Sequence, residues 1–349
     1  MASIEPVRVG VVGVGLMARY HLANMLPRDD THVVAVCEPS AVAFEAASEE
    51  FTSRDLPVPP NEPDWQRFIE RFATELDAVV IITPHVLHLA QATAALDAGL
   101  DVLLEKPMVM TAAEAETLIS TRDRTGRLLV VAFPGSLSPQ IRTAARMIAD
   151  GEVGRILNIA AVVWQDWRTH STGTWRQVPE LSGGGFLFDT GAHMLNTVAD
   201  LAGEDLTQVA AWLEDDGSPV DIRAVVMARL ASGALVTMNA CGRSIPSIGS
   251  DIRVFCEGAT LRTGIWGEHL ELQRAGEDQL RPVESVASRT VWEQFLAVRL
   301  GHDVNPSPPE VGLRMARLWD AIRMSSEAGG AVVSPVGAGP ATQARELAS

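Results

Sequence analysis

Val7-Arg-Val-Gly-Val-Val-Gly-Val-Gly-Leu-Met-Ala18 is the stretch that decides the fold. Its first eight residues form a β-branched run suited to a parallel strand buried on both faces, and the run passes straight into glycines. Gly13-Val-Gly15-Leu16-Met17-Ala18 matches the G-x-G-x-x-G/A turn that joins such a strand to a helix. Gly13 permits the tight turn, Gly15 lets the backbone approach a pyrophosphate, and the small Ala18 lets the helix pack closely on the strand. Leu16 and Met17 lie inside the turn and are counted with it as cofactor-binding positions. A helix over 18–25, closed by Pro27, is expected next.

The following strand, 32–37, delivers Glu38 at its C-terminal end, close to the ~20 residues past the turn at which a carboxylate meets both ribose hydroxyls. Pro39 and Ser40 follow it, where an arginine would accommodate a 2′-phosphate. The pattern therefore favours NAD over NADP. Strand and helix then keep alternating: strand 77–82, helix 87–98 stopped by Gly99, strand 101–105, helix 112–125 ending at Gly126, and strand 128–133 before Pro134. Such alternation implies right-handed crossovers and a doubly wound parallel sheet. Thr83, Pro84 and His88, at the end of the third strand, are expected to cover the cofactor. His85 and His88 have no third ligand nearby, so no metal is expected.

Val102-Leu-Leu-Glu-Lys-Pro-Met-Val-Met110 holds the chain's single lysine, Lys106, among 28 Lys and Arg residues. A guanidinium stays charged, whereas an ammonium can be tuned and donates from one point. Pro107 turns the backbone away from the sheet, and strand ends are where doubly wound sheets place their ligands. Glu105 and Lys106 thus become candidates for cofactor contact and Lys106 for chemistry.

Beyond the helix over 139–149 the pattern changes to longer strands: 156–164, 208–213, 222–230, 234–240, 251–256 and 260–266. Ser232-Gly233 reads as a hairpin turn. In 222–230 both faces carry apolar groups. One can meet the domain's own helices, and the other is expected to meet a second subunit in a homodimer or homotetramer. Between the first two strands, Trp164, Trp167 and Trp175 are three of the eight tryptophans and stand beside Arg168, Asp166 and His170. Indole faces with adjacent charges suit a small polyhydroxylated ligand, which makes Trp164, Arg168 and Trp175 substrate candidates. After the glycines 183–185, Asp189 and His193 stand four apart on an expected helix ending at Gly203, with Asn196 on the same side. A carboxylate beside an imidazole orients it and favours its charged form, as a general base requires.

Net charge is −16 and the pI near 4.9, which argues against nucleic acid and anionic membrane as partners. Cys37, Cys241 and Cys256 lack metal-ligand spacing and read as thiols in a reducing compartment. No export leader and no run of roughly 20 apolar residues is apparent, so a cytoplasmic location is expected. The domains expected are 1–134 for nucleotide binding and 135–333 for substrate and oligomer contacts. A Gly-, Ala- and Pro-rich tail, 334–349, is expected to be disordered.

Together the glycine turn, Glu38, Thr83-Pro84 with His88, Glu105-Lys106-Pro107, and Gly-Gly-Gly with Asp189 and His193 resemble the Gfo/Idh/MocA oxidoreductase family over about 7–333. The resemblance implies an N-terminal Rossmann domain followed by an α+β domain whose open, mainly antiparallel sheet makes subunit contacts. It also implies NAD-dependent oxidation of a secondary hydroxyl on a sugar, sugar derivative or cyclitol, with Lys106, Asp189 and His193 on the family's catalytic positions. Asn196 departs from the family, whose members often carry Asp there. A glycosidase using NAD for transient oxidation and a non-catalytic NAD-responsive regulator are the alternatives.

Overall fold

A computed structural model describes residues 5–335, which divide into two units. The first holds residues 5–109, 113–132 and 289–312, and the second holds 110–112, 133–288 and 313–335. The tail expected to be disordered falls, from 336 on, outside the described residues.

In the first unit, strands β1 (Val7–Val12), β2 (Thr31–Cys37), β3 (Ala78–Ile81), β4 (Asp101–Glu105) and β5 (Leu129–Ala132) form a parallel sheet in the order β2-β1-β3-β4-β5. Every residue of β3 and β5 is buried, as are Val102, Leu103 and Leu104 of β4. A sheet so apolar on both faces must be covered on both, which is the work of the crossover helices. These are α1 (Leu16–Met25), α2 (Ala41–Thr52), α3 (Trp65–Phe72), α4 (His88–Asp97) and α5 (Ala112–Thr125). The winding reverses between β1 and β3, and the carboxyl ends of two strands beside such a switch point form a ligand crevice.

The second unit is built on an eight-stranded sheet. Its strands are β6 (Ile156–Gln165), β7 (Leu206–Glu214), β8 (Arg223–Leu230), β9 (Leu235–Cys241), β10 (Ile248–Cys256), β11 (Ala259–Thr263), β12 (Leu270–Arg274) and β13 (Arg281–Pro282). They lie in the order β13-β12-β11-β10-β6-β9-β8-β7, antiparallel except for the parallel pair β6 and β9. Strand β8 alternates as its sequence dictates: Ala224, Val226, Ala228 and Leu230 are buried, and Arg223, Val225, Met227 and Arg229 are exposed. The helices of this unit begin with α6 (Pro134–Leu137) and α7 (Pro139–Ala149). Ser138 caps α7 by accepting from the N–H groups of Gln140 and Ile141, and Pro139 takes the first helical position, where its missing donor costs nothing. Between β6 and β7 lie α8 (Trp167–Ser171), α9 (Pro179–Ser182), α10 (Phe186–Asp189) and α11 (Gly191–Ala202). The last packs on β6, β9 and α7, with Met194, Leu195, Val198 and Leu201 completely buried.

The boundary differs from the sequence expectation. Residues 289–312, placed there in the second domain, belong to the first unit. Helix α12 (Val291–Arg299) is held there by Arg28 donating to Glu293 Oε1 at 2.7 Å and by Trp292 Nε1 donating to Thr31 Oγ1 at 2.8 Å. The chain then enters α13 (Pro309–Glu327). Among the described residues, no helix is long and apolar enough to cross a membrane.

Candidate functional site

The first unit's set begins at the glycine turn. Gly13 has φ +85°, and a Cβ there would lie 2.5 Å from the Ile82 carbonyl oxygen, so only glycine lets β1 and β3 end side by side. Gly15 is the N-cap of α1 and differs sharply: a Cβ would meet nothing within 4 Å, and no side chain caps the helix. Free backbone N–H groups at the positive end of a helix, approachable without a side chain in the way, are what a pyrophosphate requires. Leu16 and Met17, 79% and 44% exposed, stand at this opening. Glu38 is buried, with Oε2 accepting from Val14 N–H at 2.9 Å and Oε1 from Ser40 N–H at 2.8 Å. Asn61 clamps its backbone, accepting from Glu38 N–H at 2.9 Å and donating to Glu38 O at 3.0 Å. Each carboxylate oxygen keeps a lone pair for a ribose hydroxyl, so these residues fit NAD.

At the ends of β3 and β4, Thr83 Oγ1 donates to Gln91 at 2.6 Å, and half-buried Pro84 leads into the next turn. His88 is fully buried, its Nδ1 2.9 Å from Pro107 O and its Nε2 3.0 Å from Thr83 O. Burial pushes this imidazole below its ordinary pKa, so the neutral ring donates to one carbonyl at a time. His88 therefore presents no surface to a cofactor; it ties the Thr83 turn to the Pro107 turn, and the sequence expectation of direct contact is corrected accordingly. Its ring meets that of His85 edge-on at 5.6 Å. Lys106 is half-buried just past β4; its backbone N–H donates to Glu105 Oε2 at 3.0 Å, and its peptide bond to Pro107 is cis. Burial alone would raise the Glu105 pKa, but the His21 hydrogen bond and charge, with those of Lys106, hold it below the ordinary carboxylate value.

In the second unit the glycine run proves to be a packing device. Gly183 takes φ +74° at the end of α9, a Cβ on Gly184 would lie 2.6 Å from Phe188 and Trp319, and one on Gly185 would lie 2.0 Å from Asp221 O. Half-buried Asp221 in turn accepts from the N–H of Gly185 at 2.6 Å and of Leu187 at 2.9 Å, capping the short helix that ends at Asp189. Burial pushes the Asp221 carboxyl above its usual range despite those two donors. Asp189 is buried, and its Oδ2 accepts from Trp167 Nε1 at 2.8 Å and from Arg176 Nε at 3.0 Å. His193, 8% exposed, is set edge-on to Phe133 at 6.2 Å and tilted against Trp266 at 5.9 Å between ring centroids. The expected single helix is two: α10 ends at Asp189, and His193 N–H bonds to Thr190 O at 3.2 Å, so the spacing tightens at the junction.

The remaining substrate candidates differ among themselves. Trp164 is half-buried with its indole over Gly249, Arg168 is half-buried beside Gly242, and Trp175 lies under the Arg176 guanidinium at 4.5 Å. Asn196 is 1% exposed and fully engaged: its amide donates to Ser136 Oγ at 2.7 Å and Asp200 at 3.1 Å, and its carbonyl accepts from Arg314 at 3.1 Å. It braces α11 internally, which corrects its assignment to substrate. Sequence reasoning missed His21, Asn61, Asp221, Trp167, Arg176 and Trp266. Only Trp167 and Arg176 carried a signal, lying in the same tryptophan-rich stretch.

The fold and these residue sets define an oxidoreductase built on an NAD-binding Rossmann domain. Residues 7–133 match the oxidoreductase family, NAD-binding Rossmann fold, and residues 141–262 match the GFO/IDH/MocA C-terminal domain. The chain belongs to the GFO/IDH/MocA family. It is similar to levoglucosan dehydrogenase of Pseudarthrobacter phenanthrenivorans, 26% identical over 274 residues that cover 69% of this chain and 70% of that protein. It is also similar to inositol 2-dehydrogenase 4 of Saccharopolyspora erythraea, 28% identical over 273 residues covering 75% of each chain. Its fold matches the crystal structure of an inositol dehydrogenase homolog complexed with NAD+ from Azotobacter vinelandii, with a TM-score of 0.81 and 22% identity over 95% of this chain and 97% of that one.

Proposed function

We propose that this chain is an NAD-dependent dehydrogenase acting on a secondary hydroxyl of a sugar, sugar derivative or cyclitol. The observation that carries the reading is the Asp189 carboxylate, buried and oriented by Trp167 and Arg176 just before a ring-packed His193. NAD, when bound, supplies the hydride acceptor. His193 takes the hydroxyl proton, Asp189 stabilises the resulting imidazolium, and the Lys106 ammonium hydrogen-bonds the oxygen as it becomes an alkoxide and then a carbonyl. Gly13, Gly15, Leu16, Met17 and Glu38 hold the cofactor, with Thr83, Pro84 and Glu105 at the strand ends. Trp164, Arg168 and Trp175 offer ring faces and charge to a hydroxylated substrate.

The experiment is a panel of sugars and polyols read by NADH formation, run with NAD and with NADP. Turnover with at least one substrate and a clear preference for NAD is the expected result; equal rates with both cofactors would contradict the role of Glu38. Release of free sugar from an aryl glycoside without net NADH would favour the glycosidase alternative. Cofactor binding that persists while replacing His193 leaves the phenotype unchanged would favour a regulator.

For the second unit we propose self-association through the sheet face opposite α11. Trp212, Val225, Met227 and Leu235 are 42%, 43%, 44% and 46% exposed there, on adjacent strands in register. An apolar face of this kind is rarely left bare. Light scattering of Met227→Asp checks it: the expected outcome is a smaller particle than the native chain gives. We place the protein in a reducing, cytoplasmic compartment, as three cysteines without a disulfide allow; burial pushes the Cys37 and Cys256 thiols up to about 12 and about 11, which makes them inert.

A further inference from the structure

Helix α1 carries a histidine that nucleotide binding does not require. His21 is 3% exposed, its Nε2 lying 2.7 Å from Glu105 Oε1. The Glu105 side chain is itself only 13% exposed. Because the carboxylate is held ionised it can only accept, so the contact places the imidazole proton on Nε2. The other carboxylate oxygen accepts the backbone N–H of Lys106 at 3.0 Å. On the far side of the lysine, His88 Nδ1 stands 2.9 Å from Pro107 O. Lys106 is thus bracketed, its N–H by Glu105 and the next carbonyl by His88.

A hydrogen bond between two polar groups so far out of solvent is a poor device for stability alone, because apolar residues of equal volume serve as well or better. What the carboxylate supplies here is geometry. It has two oxygens, one engaged by the helix that follows the glycine turn and one by the residue whose ammonium the dehydrogenase reading uses. Lys106 follows β4 directly, whose last ladder pair is Glu105 with Ala132, and its N–H donates to the Glu105 side chain.

We propose that His21, acting through Glu105, is a positioning residue for Lys106, fixing the lysine backbone to the helix that begins at the cofactor turn. The proposal rests on the dehydrogenase reading for its consequence in turnover, but not for its test. Lys106 is the only lysine, so protein grown with [15N]lysine gives a single backbone amide resonance, and that amide is the donor to Glu105. In His21→Phe this resonance is expected to move well outside the linewidth. In His21→Gln, whose amide can still donate to Glu105, it should return toward the native position.

In the turnover assay His21→Phe is expected to lower kcat by about 10- to 100-fold, as misplacing a reacting group does, with KM for NAD changed less than about threefold. His21→Gln should recover most of the loss. Once Lys106 is replaced by Ala, adding His21→Phe should cost nothing further, because groups that act as a unit are not additive. An unmoved resonance in His21→Phe overturns the proposal, as does a moved one with native kcat, or losses that add fully to Lys106→Ala. A native chain that turns over no hydroxyl substrate would sink the dehydrogenase reading, while the spectrum would still decide whether His21 places residue 106.

Discussion

Two glycine clusters lie in this chain, and they do opposite things. At Gly15 the backbone is bare: a Cβ would meet nothing within 4 Å, and the helix N-terminus beside it has no side-chain cap. At Gly185 the backbone is pressed against protein, with Asp221 O 2.0 Å from where a Cβ would stand. One glycine leaves room for a ligand, and the other lets two segments of the same unit touch so that Asp221 can cap the helix leading to Asp189. A glycine-rich stretch announces close approach in both cases, and only the structure says to what.

Substitutions at these positions should separate the two uses. The largest effect is expected at Gly185→Val, which drives a methyl-bearing carbon into a backbone oxygen; we expect destabilisation of more than about 3 kcal/mol in urea unfolding, with NAD affinity lost only as folded protein is lost. Gly13→Ala comes next, since it combines a left-handed backbone with a clash on Ile82 O. It should cost at least about 1–2 kcal/mol from the backbone alone, and weaken NAD binding in calorimetry as well. Gly15→Ala should leave stability within about 0.5 kcal/mol and yet weaken NAD roughly tenfold, the signature of a residue that serves a ligand and not the fold.

How much of this could be read without coordinates follows from where each signal sits. The strand 7–14, its glycine turn and Glu38 were legible because each is local: a doubly buried strand leaves an unbroken apolar run, and the acid follows at a fixed distance. Helix 139–149 was legible at both ends, since Ser138-Pro139 and Asp150-Gly151 are start and stop chemistry. The return of 289–312 to the nucleotide unit was not, for it depends on Arg28 meeting Glu293 and Thr31 meeting Trp292 across more than half the chain. Asp221 and Asn61 were hidden for the same reason, being polar residues in loops whose partners lie far away in sequence. Asn196 misled because helical spacing shows which residues share a side, not that Ser136, Asp200 and Arg314 already occupy it.

A smaller effect sharpens the contrast between one acid of each unit, Glu105 and Asp221. Glu105 is held below its ordinary pKa, so its contribution to stability is present above about pH 4.5 and is lost as the pH falls through its folded value. Asp221 is pushed above its ordinary value, so it contributes in the opposite sense, its contribution declining as pH rises through the folded value. Thermal unfolding followed below pH 5 should therefore show a shallower acid loss for Glu105→Gln than for the native chain, and a steeper one for Asp221→Asn.

The central claim is that the lone ammonium at residue 106 works as a point donor to a developing alkoxide. Steady-state turnover of Lys106→Ala and Lys106→Arg, on whichever hydroxyl substrate the native chain accepts, tests it most directly. Loss of about 10²- to 10³-fold in kcat for the alanine variant, with arginine restoring no more than a part, is what the account predicts. Native turnover in the arginine variant would contradict it.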